Sequence, residues 1–386
     1  MFDQGRHYLA IPGPSVVPDR VLRAMMRPAP NIYGGPLHGM VEGIVERLRA
    51  VARTQGEAVI YIGNGHAGWE AALANVAAPG DRVLVPAAGR FGHGWAATAR
   101  AMGIEAEVIE HGMGGPIDPG RVEAALRADP EGRTRAVLAV HVDTSTGARS
   151  DMAAIRAAMD AAGHPALLLA DCVASLGCDP FEMDSWGVDV TLAASQKGLM
   201  CPAGLFFLWF NERAARARDR ATPGPYWDWR PRAAPEVFYH RFAGTAPTHG
   251  LFALDEALRM IEEEGLEAVW ARHALLARAV WAACDGWGAP VALNVASPLH
   301  RSHAVTALSV GSPHGAALRA WVEGRGVTLG VPLGFDPPDA HLRIGHMGHV
   351  NAHMVLGALA VMEAGLGALG VPHGPGVAAA ARALAG

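Results

Sequence analysis

Through the first two-thirds of the chain, short runs of almost purely apolar residues alternate with longer stretches that are polar on one side. Residues 58–62, 82–86, 106–109, 136–142, 166–170, 188–193 and 204–210 read as strands. Between them, residues 69–76, 95–102, 122–128 and 152–162 read as helices. The strands lack the in-and-out alternation of a sheet with one wet face. That pattern, with helices of about ten residues between strands, predicts βαβ units and a mostly parallel sheet covered on both faces. The pattern changes after residue 215. Residues 215–250 are rich in Arg, Pro and aromatics and read as a long irregular segment. Residues 251–284 read as one helix, with Glu262, Glu263 and Glu264 on a solvated face. Beyond it, strands and helices alternate again, with fewer strands. The expected division is an N-terminal arm (1–25), a large α/β domain (26–265) and a smaller C-terminal α/β domain (266–386).

Composition narrows the possible partners. Apolar residues make up 51% of the chain and charged residues 18%, against a typical charged share of about 25%. This is material for a large core. A net charge of −5 leaves no basic footprint for nucleic acid. The apolar stretch 355–371 is interrupted by Glu363 and by glycines, and it falls short of the ~20 residues a membrane span needs. No membrane partner is expected. The N-terminus has no long apolar core of a signal peptide. The four cysteines are sparse and show no CxxC spacing. They read as reduced thiols of a cytoplasmic protein.

One count changes the picture. Of the 32 basic residues only Lys197 is lysine, and the other 31 are arginine. Codon drift toward arginine explains the 31. The exception suggests a place where a titratable primary amine is needed, which a guanidinium does not supply.

Four segments carry candidate chemistry. Gly63-Asn64-Gly65-His66-Ala67-Gly68 follows a strand and opens a helix, so its N–H groups suit a phosphate. It also matches the GxGxxG of dinucleotide sites, but the nearest acid, Asp81, precedes the next strand instead of ending it. A tight βα turn that simply needs glycine is the plain alternative. Asp171 stands at the carboxyl end of an apolar strand, the edge where open α/β sheets bind ligands; a turn or cap aspartate is the alternative. Lys197 follows the next apolar strand. Arg343 lies in an alternating strand-like segment, where its fork suits a carboxylate. Histidines 346, 349 and 353 are expected to be hydrogen-bonded or solvated, not metal ligands. Thr144 and Thr245 lie in hydroxyl-rich loops that often only make local turns.

A phosphate cradle, a buried carboxylate, a lone lysine and a carboxylate-binding arginine together fit pyridoxal 5′-phosphate. The lysine supplies a Schiff base and a proton carrier, the aspartate a partner for the pyridine nitrogen, and the arginine a grip on the α-carboxylate.

At these residues the chain resembles the class V aminotransferases of fold type I, and among them the serine–glyoxylate and alanine–glyoxylate enzymes. The likeness spans nearly the whole chain. It rests on IPGPSVVPDRVL (11–22), GNGHAGWEAAL (63–73), HVDTSTG (141–147), ADCVASLG (170–177), SQKGLM (195–200), PYWDW (225–229), GTAPTHGLFAL (244–254) and LRIGHMG (342–348). The resemblance implies Lys197 as the Schiff-base lysine and Asp171 as the pyridinium partner. It implies Asn64, Gly65, His66 and Gln196 at the phosphate, Phe91 over the ring and Thr144 near the ring hydroxyl. It further implies Thr245 reaching the phosphate of a partner subunit in a homodimer with shared sites, and Arg343 on the substrate carboxylate. Phe242 stands where some relatives have a tyrosine, and Asn64 where some have a serine. The implied reaction carries an amino group from serine, alanine or aspartate to glyoxylate. Arg241, His346 and Tyr33 are candidate second anchors for a dicarboxylic donor. Cysteine desulfurase or lyase chemistry is the rival within the fold. It wants a histidine before the lysine and a late nucleophilic cysteine, whereas here Gln196 precedes Lys197 and no cysteine follows Cys284. An NAD-dependent oxidoreductase using Gly63, Gly65 and Gly68 is the rival from another class.

Overall fold

The computed structural model describes residues 4–385. Its centre is a sheet of seven strands. In chain order they are Glu57–Gly63 (β1), Arg82–Ala87 (β2), Glu105–Glu110 (β3), Thr134–Val140 (β4), Leu167–Asp171 (β5), Val190–Ala194 (β6) and Gly204–Phe210 (β7). Across the sheet the order is β1-β7-β6-β5-β4-β2-β3. Six strands run the same way; β7 alone is antiparallel, to both β1 and β6.

The apolar runs are explained by burial on both faces. In β7, Leu205, Phe207 and Trp209 enter one core, while Phe206, Leu208 and Phe210 enter the other. The first core is closed by the helices Pro36–Ala52, Met152–Ala161 and Thr248–Glu264, the second by Gly65–Val76 and Arg90–Ala101. Each such side chain gains about 1.5–3 kcal/mol on full burial, so a polar residue on either face would be costly.

Three expectations need correction. The helix expected over 251–284 is two helices, Thr248–Glu264 and Leu266–Trp287, separated at Gly265 with φ 86°. The apolar spacing continues through the break, and only glycine adopts that conformation without strain. The strand expected to reach residue 142 ends at Val140. Val142–Asp143 turns out of the sheet and pairs with Ala148–Arg149. The helix expected from residue 69 starts at Gly65, because Asn64 caps it.

The Arg-rich segment contains only short helical pieces, yet it is anchored. Trp229 is fully buried and stacks on Phe210 with ring centroids 4.2 Å apart. The Arg232 guanidinium lies over the Tyr61 ring and donates to the Ile60 carbonyl on edge strand β1 (3.0 Å).

A third core gathers apolar residues between Leu276 and Ala380, together with Ala10. It backs a three-stranded antiparallel sheet of Ala292–Leu293, Val305–Ser309 and His341–Gly345. Tyr8–Ala10 pairs in parallel with Val327–Leu329, which stitches the N-terminal segment to this part of the chain. Among the described residues no helix is long and apolar enough to cross a membrane.

Candidate active site

The carboxyl ends of the parallel strands meet along one edge of the central sheet. There a cavity of about 230 Å³ is lined by Asn64, Gly65, His66, Phe91, Thr144, Asp171, Gln196 and Lys197. Eight of the ten expected site residues are therefore in one place. Arg343 stands beside it. Thr245 is exposed and outside this cavity.

Asp171 ends β5, only 4% exposed. Its carboxylate accepts from Trp69 Nε1–H (2.7 Å) and from the Val173 N–H (2.8 Å). Among the described residues no cation reaches it within ion-pair distance. Burial outweighs those two donors and pushes its pKa up to about 6. Trp69 was not singled out from the sequence as a site residue. It lies 102 residues from Asp171 in the chain, and only its place in the GNGHAGWEAAL run pointed toward the site.

Lys197 follows β6, in a turn held from two sides. Ser15 Oγ–H donates to the Lys197 carbonyl (2.7 Å), and the Ser15 N–H donates to the Gln196 carbonyl (2.8 Å). The lysine amine donates to the Pro12 carbonyl. A Cβ on Gly13 would stand 2.5 Å from Nζ, so glycine leaves the lysine its path. Burial pulls the ammonium down to about 8, with Arg343 adding to the effect while Asp171 and Cys178 oppose it.

The opposite rim is the start of the helix Gly65–Val76. The Asn64 side chain accepts from the N–H groups of His66 (3.1 Å) and Ala67 (3.4 Å). The expected bare helix N-terminus is thus partly capped by its own residue. Gly65 is needed because a Cβ would meet Val173 Cγ2 at 2.8 Å. The His66 ring packs edge-on against Trp69 (4.5 Å), and burial lowers its pKa, with Lys197 and Arg90 adding to the effect. Gln196 Oε1 is buried and has no hydrogen-bond partner among the described residues, an unmet polar end at the cavity wall.

Arg343 is 7% exposed on the strand His341–Gly345. It donates from Nε to the Val331 carbonyl (2.7 Å) and from Nη1 to the Thr144 carbonyl (2.8 Å). These bonds aim the guanidinium across from the three-stranded sheet to the cavity rim. Burial lowers its pKa to about 10, with Asp143 opposing, so it stays charged at neutral pH.

The second-anchor candidates fare unevenly. His346 is fully buried. Its Nδ1–H donates to the His303 carbonyl (2.8 Å) and its Nε2 meets Thr306 Oγ1 (2.9 Å), so both ring nitrogens are occupied. Arg241 lies outside the cavity, and Tyr33 is 83% exposed. Asp81 caps a turn by accepting from the Ala78 N–H (2.9 Å) and pairs with Arg135, at the opposite edge of the sheet. It is out of reach of a ribose held at Gly65, so the dinucleotide alternative has no acid where it needs one.

The residues fit pyridoxal phosphate on chemical grounds. Asp171 lacks a cation that a protonated ring nitrogen supplies. The lysine amine faces the same cavity, and polar groups at Asn64, Gly65 and Gln196 rim the end where a phosphate would sit.

The chain matches the class-V aminotransferase family over residues 7–331. It is 37% identical to the serine–glyoxylate aminotransferase of Methylorubrum extorquens, covering 98% of this chain and 96% of that one. It is 36% identical to the L-aspartate–glyoxylate aminotransferase of Paracoccus denitrificans, over 96% and 94%. Among solved structures it resembles the ureidoglycine–glyoxylate aminotransferase of Bacillus subtilis. That match has a TM-score of 0.90 and 29% identity, and it covers 99% of both chains.

Proposed function

The chain belongs to the class-V aminotransferases and has their fold type I architecture; from that premise we propose that it carries the amino group of a small L-amino acid to glyoxylate, giving glycine and a 2-oxo acid. The donor is serine, alanine or aspartate. The observation that carries this reading is the meeting of Lys197 and Asp171 in one cavity, with Arg343 at its rim. Full-length likeness to enzymes named for serine–glyoxylate and aspartate–glyoxylate transamination supports the acceptor.

The residue roles follow from their chemistry. Pyridoxal phosphate, when bound, supplies the aldehyde that takes the amino group and the ring that accepts electrons from Cα. Asp171, kept dry, would pair with the ring nitrogen and keep it protonated. Asn64, Gly65, His66 and Gln196 would hold its phosphate, with Phe91 and Thr144 lining the same cavity for the ring. Arg343 grips the substrate α-carboxylate through its free guanidinium edge and so fixes which Cα bond faces the ring. Lys197 moves the proton. With its pKa near 8, a useful fraction of the amine is neutral at neutral pH and takes a proton from Cα, then returns it on the far side of the exchange. Trp69 and Val173 line the cavity and exclude water from that transfer.

All four cysteines are buried free thiols, with pKa values pushed up by burial. None is poised for desulfurase chemistry, and reduced thiols accord with a cytoplasmic protein. Further parts of the same proposal are a boundary at Gly265, with residues 1–25 as an arm, and a homodimer in which Thr245 reaches the partner's phosphate. The third core, which takes in residues from Leu276 onward together with Ala10, supports a separate C-terminal unit, although Leu266 and Val269 still pack in the first core.

A donor screen against glyoxylate, scored by kcat/KM, tests the function. Glycine formation from at least one of the three donors is expected. Failure of all three, with turnover on pyruvate or on no oxo acid, would sink the proposal.

A further inference from the structure

Asp179 lies outside the cavity and has no place in the chemistry above, yet it is fully buried and charged. It closes the segment that begins at Asp171, folded by the bonds from the Cys178 and Asp179 N–H groups to the Ser175 carbonyl (2.8 and 2.9 Å). This segment presses on the lysine turn. A Cβ on Gly198 would meet the Leu176 carbonyl at 2.2 Å and Cys178 Sγ at 2.9 Å. One end of the segment therefore cannot move without the residue next to Lys197.

The carboxylate of Asp179 faces the other way, into the smaller part of the chain. Its Oδ2 accepts from Ser302 Oγ–H (2.8 Å) and its Oδ1 from the His303 N–H (2.9 Å). Arg149 Nη1 lies 3.4 Å away and His303 Nδ1 3.6 Å. Burial alone would raise its pKa, but His303, Arg149 and His141 outweigh it and hold the carboxyl below its ordinary range. Ser302 and His303 lead directly into the strand Val305–Ser309. In that strand Ala307 is the register partner of Arg343. A second tie runs from the Ser302 N–H to the Gly147 carbonyl (3.0 Å), beside the Thr144 carbonyl that accepts from Arg343. The His303 carbonyl in turn accepts from His346, just past the arginine strand.

We propose that Asp179 is a positioning residue. It pins Ser302 and His303, and through them the strand pair that carries Arg343, at a fixed place relative to Lys197. It thereby sets how well the substrate carboxylate is gripped. The inference rests on the transamination reading, in which both substrates present an α-carboxylate to Arg343. Asp179 acts on where Arg343 stands and leaves its guanidinium in place, so a slackened grip weakens binding of both substrates and raises KM, while a substrate once held keeps its orientation and kcat changes little.

The test is Asp179→Ala, which leaves two buried donors unpaired, with Ser302→Ala as a milder second variant that removes one arm. The holoenzyme is used, and active sites are counted by the lysine-bound cofactor that borohydride fixes. For Asp179→Ala, KM for glyoxylate and for the amino donor should both rise about tenfold, as expected for losing one charge-assisted bond, while kcat per active site stays within about twofold. Asp179→Asn, which keeps an acceptor for the His303 N–H, should recover part of the loss. Ser302→Ala should shift both KM values the same way by a smaller factor. Independently of turnover, amide exchange at 303–306 and 342–345 should quicken while that of β5 stays protected. If kcat per site falls with both KM values unchanged, or if neither KM nor exchange responds in Asp179→Ala and Ser302→Ala, the proposal is overturned. If Asp179→Ala does not fold, Ser302→Ala decides alone. A wild-type enzyme that fails to use glyoxylate would refute the functional reading while leaving the exchange result to stand.

Discussion

Two aspartates close the two ends of one short segment, both buried, and their surroundings push them in opposite directions. Asp171 has two neutral donors and, among the described residues, no cation at contact distance, and its pKa rises to about 6. Asp179 has a hydroxyl and a backbone N–H as donors, with the Arg149 guanidinium and the His303 ring close by, and it is held ionised against its burial. The difference teaches how to separate architecture from chemistry in a core. A buried carboxylate whose partners are all supplied by the chain holds the chain together. One left short of positive charge marks where a ligand brings it.

The largest expected effect falls on the chemical end of this contrast. Lys197→Arg keeps the charge but offers no amine to take up or pass a proton. Turnover should fall by at least about 10²–10⁴-fold with the thermal midpoint little changed. Steady-state kinetics beside a melting curve would check it, and residual activity near wild type would refute the role.

Next comes a paired substitution. Asp171→Asn removes the counter-charge for the ring, and kcat should fall about 10²–10³-fold. Asp179→Asn should leave kcat per active site within about twofold. Equal losses of kcat in the two variants would erase the distinction between them.

The smallest effect is in stability, measured on cofactor-free protein. Folded Asp171 binds its proton more tightly than the unfolded chain does. Between about pH 4 and 6 the folded state thus holds the extra proton, and stability falls as pH rises. The cost is complete above pH 6. Asp179 has the opposite sign: its contribution is present above the ordinary carboxylate pKa and is lost as pH falls through its depressed value. Melting curves should therefore show Asp171→Asn gaining on wild type from pH 4 to 7. Asp179→Asn should be destabilised at pH 7 and approach wild type only in acid. The same slope for both variants would contradict the contrast.

What the sequence revealed follows the same division. Strands buried on both faces appear as nearly unbroken apolar runs, so the six strands other than β3 were legible that way, while the half-exposed edge strand β3 showed only as the short stretch 106–109. The direction of β7 was not, since a strand covered on both sides reads the same either way. Lys197 stood out by composition, and Asp171 by its place at a strand end. Asn64, Gly65 and His66 lay in a glycine-rich strand-to-helix turn. The rest depends on contacts between distant segments. The Trp69–Asp171 bond, the Pro12–Ser15 strap on the lysine turn and the Asp179–Ser302 tie leave no local period or spacing to read. Gly265 shows the reverse failure: the apolar spacing ran through a residue whose backbone breaks the helix.

The central claim is that Lys197 is the one lysine because the chemistry needs its amine. Borohydride treatment of the purified holoenzyme, followed by peptide mapping, tests it directly. The account predicts a visible yellow colour that bleaches on reduction and a cofactor label on the single peptide containing Lys197. A protein that stays unlabelled after loading with pyridoxal phosphate, or a label fixed anywhere else, would contradict it.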